Sequence, residues 1–249
     1  MPGDTALARA LALVRDLRAR CPWDRAQTRA TLRPYLVEEA LELDQALTQG
    51  DAARLRDELG DLLLHLAFQL VIGEERGELD AETVTGALEQ KMRRRHPHLF
   101  GLGDKPPSWE LGKRGTGKEK RSVLDGMPAT LPPLLMAYRL QERAAGVWFD
   151  WPDATGPMHK VKEEIAEVER ETGHGTRETI EDEIGDLLFA VVNLARKLAI
   201  DPRAALERAN DKFTKRFQAV ERLAEQRGLD LGRAGLADLD RLWDEVKRW

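Results

Sequence analysis

Apolar residues recur at helical spacing along most of this chain. From Thr5 to Arg20 they stand at Leu7, Leu11, Val14 and Leu17, a stripe along one helix face, and Cys21-Pro22-Trp23-Asp24 ends that helix. A loop is expected as far as Leu36, after which Val37 to Leu47 reads as a second helix, broken at Gly50-Asp51. Ala53 to Glu75 then predicts a long third helix with Leu59, Leu62, Leu63, Leu66 and Leu70 on its apolar face, and Ala81 to Arg95 a fourth, closed by His96-Pro97. The same order returns further on: Leu134 to Ala145, a Phe149-Asp150-Trp151-Pro152 turn, His159 to Glu171, a Gly173-His174-Gly175 break, Thr179 to Leu198, and a last long helix from Arg203 to Gln226 opened by Asp201-Pro202.

The polar positions repeat as well. Glu39, Glu42, Glu58 and Asp61 recur 125 positions later as Glu164, Glu167, Glu183 and Asp186, so an E-x-x-E helix is followed by an E-x-x-D helix in both halves. Asp211 to Phe217 lines up with Gln90 to His96 at an offset of 121, which puts four extra residues into the first copy, and Trp109 and Lys113 match Trp243 and Lys247 after each copy's last helix. Between Pro97 and Pro133 lie six of the twelve prolines together with Gly101, Gly103, Gly112, Gly115, Gly117 and Gly126. That composition reads as a connector with little regular structure. The expected fold is therefore all-α, two tandem helical-bundle repeats over residues 1–100 and 134–249 joined by a Pro/Gly-rich connector over 101–133.

Composition narrows the functional classes. Charged residues make up 33% of the chain while aromatics make up 6%, which favours helices over sheet. Cys21 is the single cysteine, so no internal disulfide or cysteine metal cluster can form, and a cytoplasmic setting is expected. No apolar run reaches the 18 residues of a membrane span. A net charge of -5 disfavours general nucleic-acid coating. The basic run of Lys113, Arg114, Lys118, Lys120 and Arg121 is interrupted by Gly115, Gly117 and Glu119, has no interleaved aromatics, and its Gly-Thr-Gly-Lys lacks the P-loop spacing, so it reads as a solvated linker.

Helix positions i and i+3 share a face, so each acidic motif projects two carboxylates together, and two such helices facing each other bring four to one point. Like charges about 5 Å apart repel by about 3 kcal/mol at an effective dielectric of about 20, which a hard divalent cation offsets. Ligation by oxygen alone suits magnesium, with manganese as the alternative, better than zinc or iron. The di-iron bundle requires Glu-x-x-His on two helices, and His65 lies four residues after Asp61 with Ala190 at its counterpart. The apolar run from Leu187 to Leu194 predicts a largely buried helix with Asp186 at its margin. Carboxylate-bound magnesium is usually completed by substrate phosphates, for which Lys160, Lys212 and Arg216, and Lys91 and Arg95 in the first copy, are candidate cationic partners; Trp243 either stacks on a base or caps a small core.

Taken together, Cys21-Pro22-Trp23-Asp24, the acids Glu38, Glu39 and Glu42, the string Glu58 to Asp61, the later E-E-I-A-E, E-I-G-D-L-L and N-D-K-F-x-x-R-F segments, and Leu124 to Pro128 resemble MazG, over nearly the whole chain. MazG proteins are tandem-domain nucleoside triphosphate pyrophosphohydrolases of an all-α superfamily that includes dimeric dUTPases. The resemblance implies magnesium-dependent hydrolysis of a broad range of nucleoside triphosphates to monophosphate and pyrophosphate, by water attack at the α-phosphorus, in a cytoplasmic homodimer. By position it implies that Glu164, Glu167, Glu183 and Asp186 hold metal and carry catalysis with Glu163. It further implies that Lys160, Lys212, Arg216 and Trp243 contact the nucleotide, and that the C-terminal copy is the main catalytic one. Glu39, Glu42, Glu58 and Asp61 are the matching metal acids of the first copy. Asp182 is a neighbouring acid, and Thr179 stands where the family has a lysine, so one phosphate contact is either missing or replaced by Arg177. Phe68 stands where the second copy has Asn193, and Tyr35 where it has Lys160. The alternative is a non-catalytic nucleotide-sensing module built on the same acids.

Overall fold

The computed structural model describes residues 5–106, 108–113 and 122–248, and the chain divides into two compact units, Met1–Asp104 and Lys105–Trp249. All regular structure among the described residues is helical.

In the first unit α1 (Ala6–Arg20) is capped by the Thr5 hydroxyl and followed by a short α2 (Pro22–Ala26) with proline in its first turn. The next helix, α3 (Arg29–Gln49), begins eight residues earlier than the sequence pattern predicts and carries Pro34 inside it. Proline costs a helix interior about 3 kcal/mol. Two features offset that cost: a reciprocal cap between Thr28 and Thr31, and the burial of Leu32 with Val14, Ala67, Phe68, Val71 and Ile72 in the unit's core. Gly50, at φ 73°, ends α3 in the left-handed region that glycine tolerates best, and Asp51 caps α4 (Ala52–Glu75), which packs back on α3 and receives α1. Arg18, itself buried, clamps this arrangement by pairing with Glu75 at 2.6 Å and donating to the Asp24 carbonyl. Asp80 and Thr83 form a capping box on α5 (Ala81–Arg95), none of whose residues is buried.

The second unit starts with a one-turn helix inside the predicted connector, α6 (Trp109–Lys113). Residues 114–121, which hold the rest of the basic run, lie outside the described residues. Arg143 on α7 (Pro133–Ala145) ties the connector down through the carbonyls of Val123 and Asp125. Helices α8 (Thr155–His174) and α9 (Arg177–Lys197) form a hairpin, α7 and α10 (Pro202–Gln226) lie on α9, and α11 (Leu236–Val246), absent from the sequence expectation, lies on α10. The unit's buried cluster is made where α10 meets α11, from Val220, Leu223, Ala224, Leu242 and Val246.

One expectation about burial is corrected. Of the apolar run on α9 only Ala190 and Val192 are buried, while Leu188, Phe189 and Val191 are 54%, 43% and 44% exposed, and Asp186 is exposed too. The run is apolar on more sides than one chain's neighbouring helices cover.

Candidate active site

The E-x-x-E and E-x-x-D helices of each unit pack as a hairpin, and the acids meet where they face each other. In the second unit Glu164, Glu167 and Glu183 each bring a carboxylate oxygen within 4.8 Å of the others, and in the first unit Glu39, Glu42 and Glu58 do the same. The fourth acid of each set is near enough to act through its charge. Burial, then the charges of Glu167, Glu164, Asp186 and Glu171, hold the Glu183 carboxyl above its ordinary range. Burial, then Asp61, Glu42, Glu58 and Glu38, does so for Glu39. Both clusters thus contain more negative charge than their own side chains compensate.

Glu164 is the most enclosed of these acids, at 3% exposure. One oxygen, Oε1, receives the Lys160 ammonium at 2.6 Å, while Oε2 is buried with no hydrogen-bond partner. Leaving a buried carboxylate oxygen unsatisfied is costly, and a cation among the three glutamates would satisfy it. The donor set is oxygen throughout, which fits magnesium or manganese. Lys160 also donates to Glu163 at 2.8 Å, and these two hydrogen bonds raise its pKa, keeping the ammonium charged beside the cluster. Glu163 is itself exposed.

The other candidates are placed less closely. Lys212 is exposed and Arg216 half-buried, one turn apart on α10, and neither forms an ion pair among the described residues. Trp243 packs beside the α10–α11 core, tilted against Phe213 at 5.4 Å with the Lys247 ammonium over its ring. Thr179 binds the Thr176 carbonyl through its hydroxyl and helps start α9. Asp182 is exposed on the same helix, and Arg177 is its first residue. Asn193 accepts both Arg196 Nε and Nη2, at 3.1 and 2.8 Å.

In the first unit Tyr35 stacks on the buried His65 with 6.4 Å between centroids, in place of a lysine, and Glu58 is approached by Arg54 at 3.4 Å. Lys91 is exposed on α5. Arg95, also on α5, has its Nε buried without a hydrogen bond, although the side chain is engaged elsewhere.

A feature the sequence reading did not single out lies beside α9. The carboxylate of Asp150 is bound by Arg196 and Lys197, and although burial alone would raise its pKa, these contacts outweigh it and hold the group below its ordinary value. Gln141, Trp148 and Phe149 stand close by. In the sequence, the Asn193/Phe68 difference and the aromatic density of residues 148 to 151, which reads as a turn, point toward this region.

The family of MazG nucleotide pyrophosphohydrolase domains matches this chain twice, over residues 27–100 and 155–220, the two stretches that contain the acidic hairpins. The chain is 40% identical to a nucleoside triphosphate pyrophosphohydrolase of Escherichia coli K12, over 94% of its own length and 93% of that protein's. It is 41% identical to the nucleoside triphosphate pyrophosphohydrolase/pyrophosphatase MazG of Thermotoga maritima, over 91% and 89%. A nucleoside triphosphate pyrophosphohydrolase of Mycobacterium tuberculosis is 30% identical over 80% of this chain and 61% of its own. With two matched domains and near-complete coverage by such relatives, the chain is a hydrolase and belongs to the MazG nucleotide pyrophosphohydrolase family.

Proposed function

We propose that this protein hydrolyses nucleoside triphosphates to the monophosphate and pyrophosphate, with magnesium held chiefly by the second unit's acids. The observation that carries this is Glu164: a buried carboxylate with one oxygen on Lys160 and the other unpartnered, inside a trio of glutamates. Glu164, Glu167 and Glu183 would hold the ion, with Asp186 completing the set. Bound there, the ion supplies charge neutralisation for the triphosphate and acidifies water. Lys160, fixed by Glu163 and Glu164, presents an ammonium to the phosphates at the cluster's edge. Glu163 lies outside the trio and is exposed, and its Oε1 is engaged by Lys160, so its Oε2 is the atom we assign to accept the proton of the attacking water. Lys212 and Arg216, uncommitted to ion pairs among the described residues, would hold the departing pyrophosphate.

Attack at the α-phosphorus requires pyrophosphate as the product. Incubation with each ribo- and deoxyribonucleoside triphosphate and magnesium, assayed separately for pyrophosphate and orthophosphate, tests this. Pyrophosphate from several bases is the expected result, and orthophosphate alone would contradict it. Tight nucleotide binding with neither product would favour the sensing alternative.

We also propose a homodimer in a cytoplasmic setting. Leu188, Phe189 and Val191 on α9, and Leu59 and Leu66 on α4, leave apolar faces about half exposed, as expected of surfaces covered by a second copy. No helix among the described residues is long and apolar enough to cross a membrane. Sedimentation at twice the chain mass of 28.1 kDa is the expected observation.

A further inference from the structure

The second unit contains a cavity of about 530 Å³ between α7, α9 and the loop that joins α7 to α8, lined among others by Gln141, Trp148, Phe149, Trp151, Asn193 and Arg196. Its size is that of a small-molecule site. Four aromatic residues border it, Trp148, Phe149, Trp151 and Phe189, and two of them are held largely in solvent, Trp148 at 70% and Phe149 at 82% exposure. Trp148 does this from a left-handed backbone, φ 66°, in the turn where Trp148 N–H donates to the Ala145 carbonyl and Phe149 N–H to that of Ala144. Glycine fills that position of a helix end at least cost, so a tryptophan there carries local strain that its ring does not recover through burial.

The polar groups of the cavity are specific. Gln141 is 7% exposed and its Nε2 donates to the Phe189 carbonyl at 2.8 Å, which fixes the amide's orientation and leaves Oε1 as a buried acceptor with no partner. Asn193 is fixed in the opposite sense: Arg196 donates to its Oδ1, and its amide nitrogen makes no hydrogen bond among the described residues. The cavity therefore offers flat aromatic faces, a buried acceptor and an amide donor. A nucleobase has two π faces and, on its edge, an N–H beside a carbonyl or ring nitrogen, and it fits all three.

The position agrees. Asp186 and Asn193 are seven residues apart on α9, two turns along one line of the helix, hence about 10 Å. That is about the reach from the phosphates of a nucleotide to its base. Trp243, the other aromatic candidate for a base, is already engaged with Phe213 and the α10–α11 core.

We infer that this cavity receives the base of the nucleotide whose phosphates lie at Glu164, Glu167 and Glu183, the bases being read by stacking and by Gln141 Oε1 and the Asn193 amide. This rests on the proposed pyrophosphohydrolase activity only for the location of the phosphates. Because every ordinary base carries an N–H next to an acceptor, such a pocket admits several bases.

The test is calorimetric titration of the full chain, with magnesium, by α,β-methylene-ATP and by inorganic tripolyphosphate, which has the phosphates and no base. Trp148→Gly relieves the backbone strain and so preserves the fold, and Asn193→Ala removes the donor. Each is expected to weaken the nucleotide analogue about tenfold or more, the scale of one stacked base, and to leave tripolyphosphate unchanged. Unchanged affinity for the analogue in both variants overturns the inference, as does an equal loss for both ligands. So does a change in sedimentation with unchanged affinity, which would assign the cavity to a second copy. Pyrophosphate release by the unaltered protein is scored separately: its absence together with a selective loss of analogue binding would sink the activity and keep the pocket.

Discussion

The two acidic hairpins differ in what stands next to them. In the second unit a lysine reaches the innermost glutamate at 2.6 Å and a second acid is tied to the same lysine. In the first, Tyr35 occupies the lysine's position, stacked on His65, and the nearest cation to Glu58 is Arg54 from the preceding turn of its own helix. The aromatic loops differ in the same way. Asp24 lies in a short helix where Arg18 binds its carbonyl, whereas Asp150 binds Arg196 and Lys197 through its carboxylate, and its loop borders a cavity. Equal sets of acids thus sit in unequal surroundings. The acids bring three carboxylates together in either unit, while Lys160 and the cavity beside Asn193 are what support placing the nucleotide in the second.

The strongest way to break that comparison is to remove acids from one hairpin at a time. Glu164→Gln with Glu183→Gln should lower pyrophosphate release by about a hundredfold or more, while Glu39→Gln with Glu58→Gln should lower it by less than about tenfold. Equal losses would dissolve the asymmetry. Chelation of magnesium should abolish turnover in full. It should also lower the thermal midpoint of the unaltered protein, and less so that of the Glu164→Gln/Glu183→Gln variant, since an ion bound to the folded state stabilises it by mass action.

Lys160→Met should come next. It leaves Glu164 buried without its cation, and because Lys160 is itself 43% exposed the expected loss in the metal-free protein is about 1–2 kcal/mol rather than the larger cost of a fully buried pair. Arg54→Met, at 3.4 Å from its partner, should cost about 0.5 kcal/mol or less by the same denaturant titration.

The smallest expected effect is in pH dependence. The Glu183 carboxyl titrates above its ordinary value of 4.5 in the folded protein, so the folded state holds that proton more tightly than the unfolded chain. Its contribution is therefore most favourable below pH 4.5 and is lost as pH rises through the elevated folded value. Glu183→Gln should stabilise the metal-free protein above that window and make no difference below it. Thermal midpoints measured against pH, with and without magnesium, check this, and a difference that grows toward low pH would reverse the sign.

Much of the fold was legible because it is local. Helices α4, α5 and α10 fall within a residue or two of the pattern, since apolar spacing and the Asp51, Asp80 and Asp201 caps act over a few neighbours. The start of α3 was not, because Pro34 argues locally against a helix that Leu32 stabilises from across the core. Helix α11 was missed although Leu239, Leu242 and Val246 have helical spacing, and α9 was read as buried because an apolar run does not reveal how many of its sides are covered.

The sequence by itself determined the family, the helical class, the duplication and the acids that face each other, since a spacing of three on a helix dictates a shared face whatever surrounds it. Only the tertiary structure decided that Glu164 is enclosed with one oxygen on Lys160 and the other unpaired, and that Gln141 and Trp148 meet Asn193 around a cavity. The Lys160 contact runs one turn along α8, but the enclosure of Glu164 and the meeting of Gln141, Trp148 and Asn193 depend on separate helices and a loop coming together. Burial and pairing depend on where helices pack, which the period of one helix does not encode.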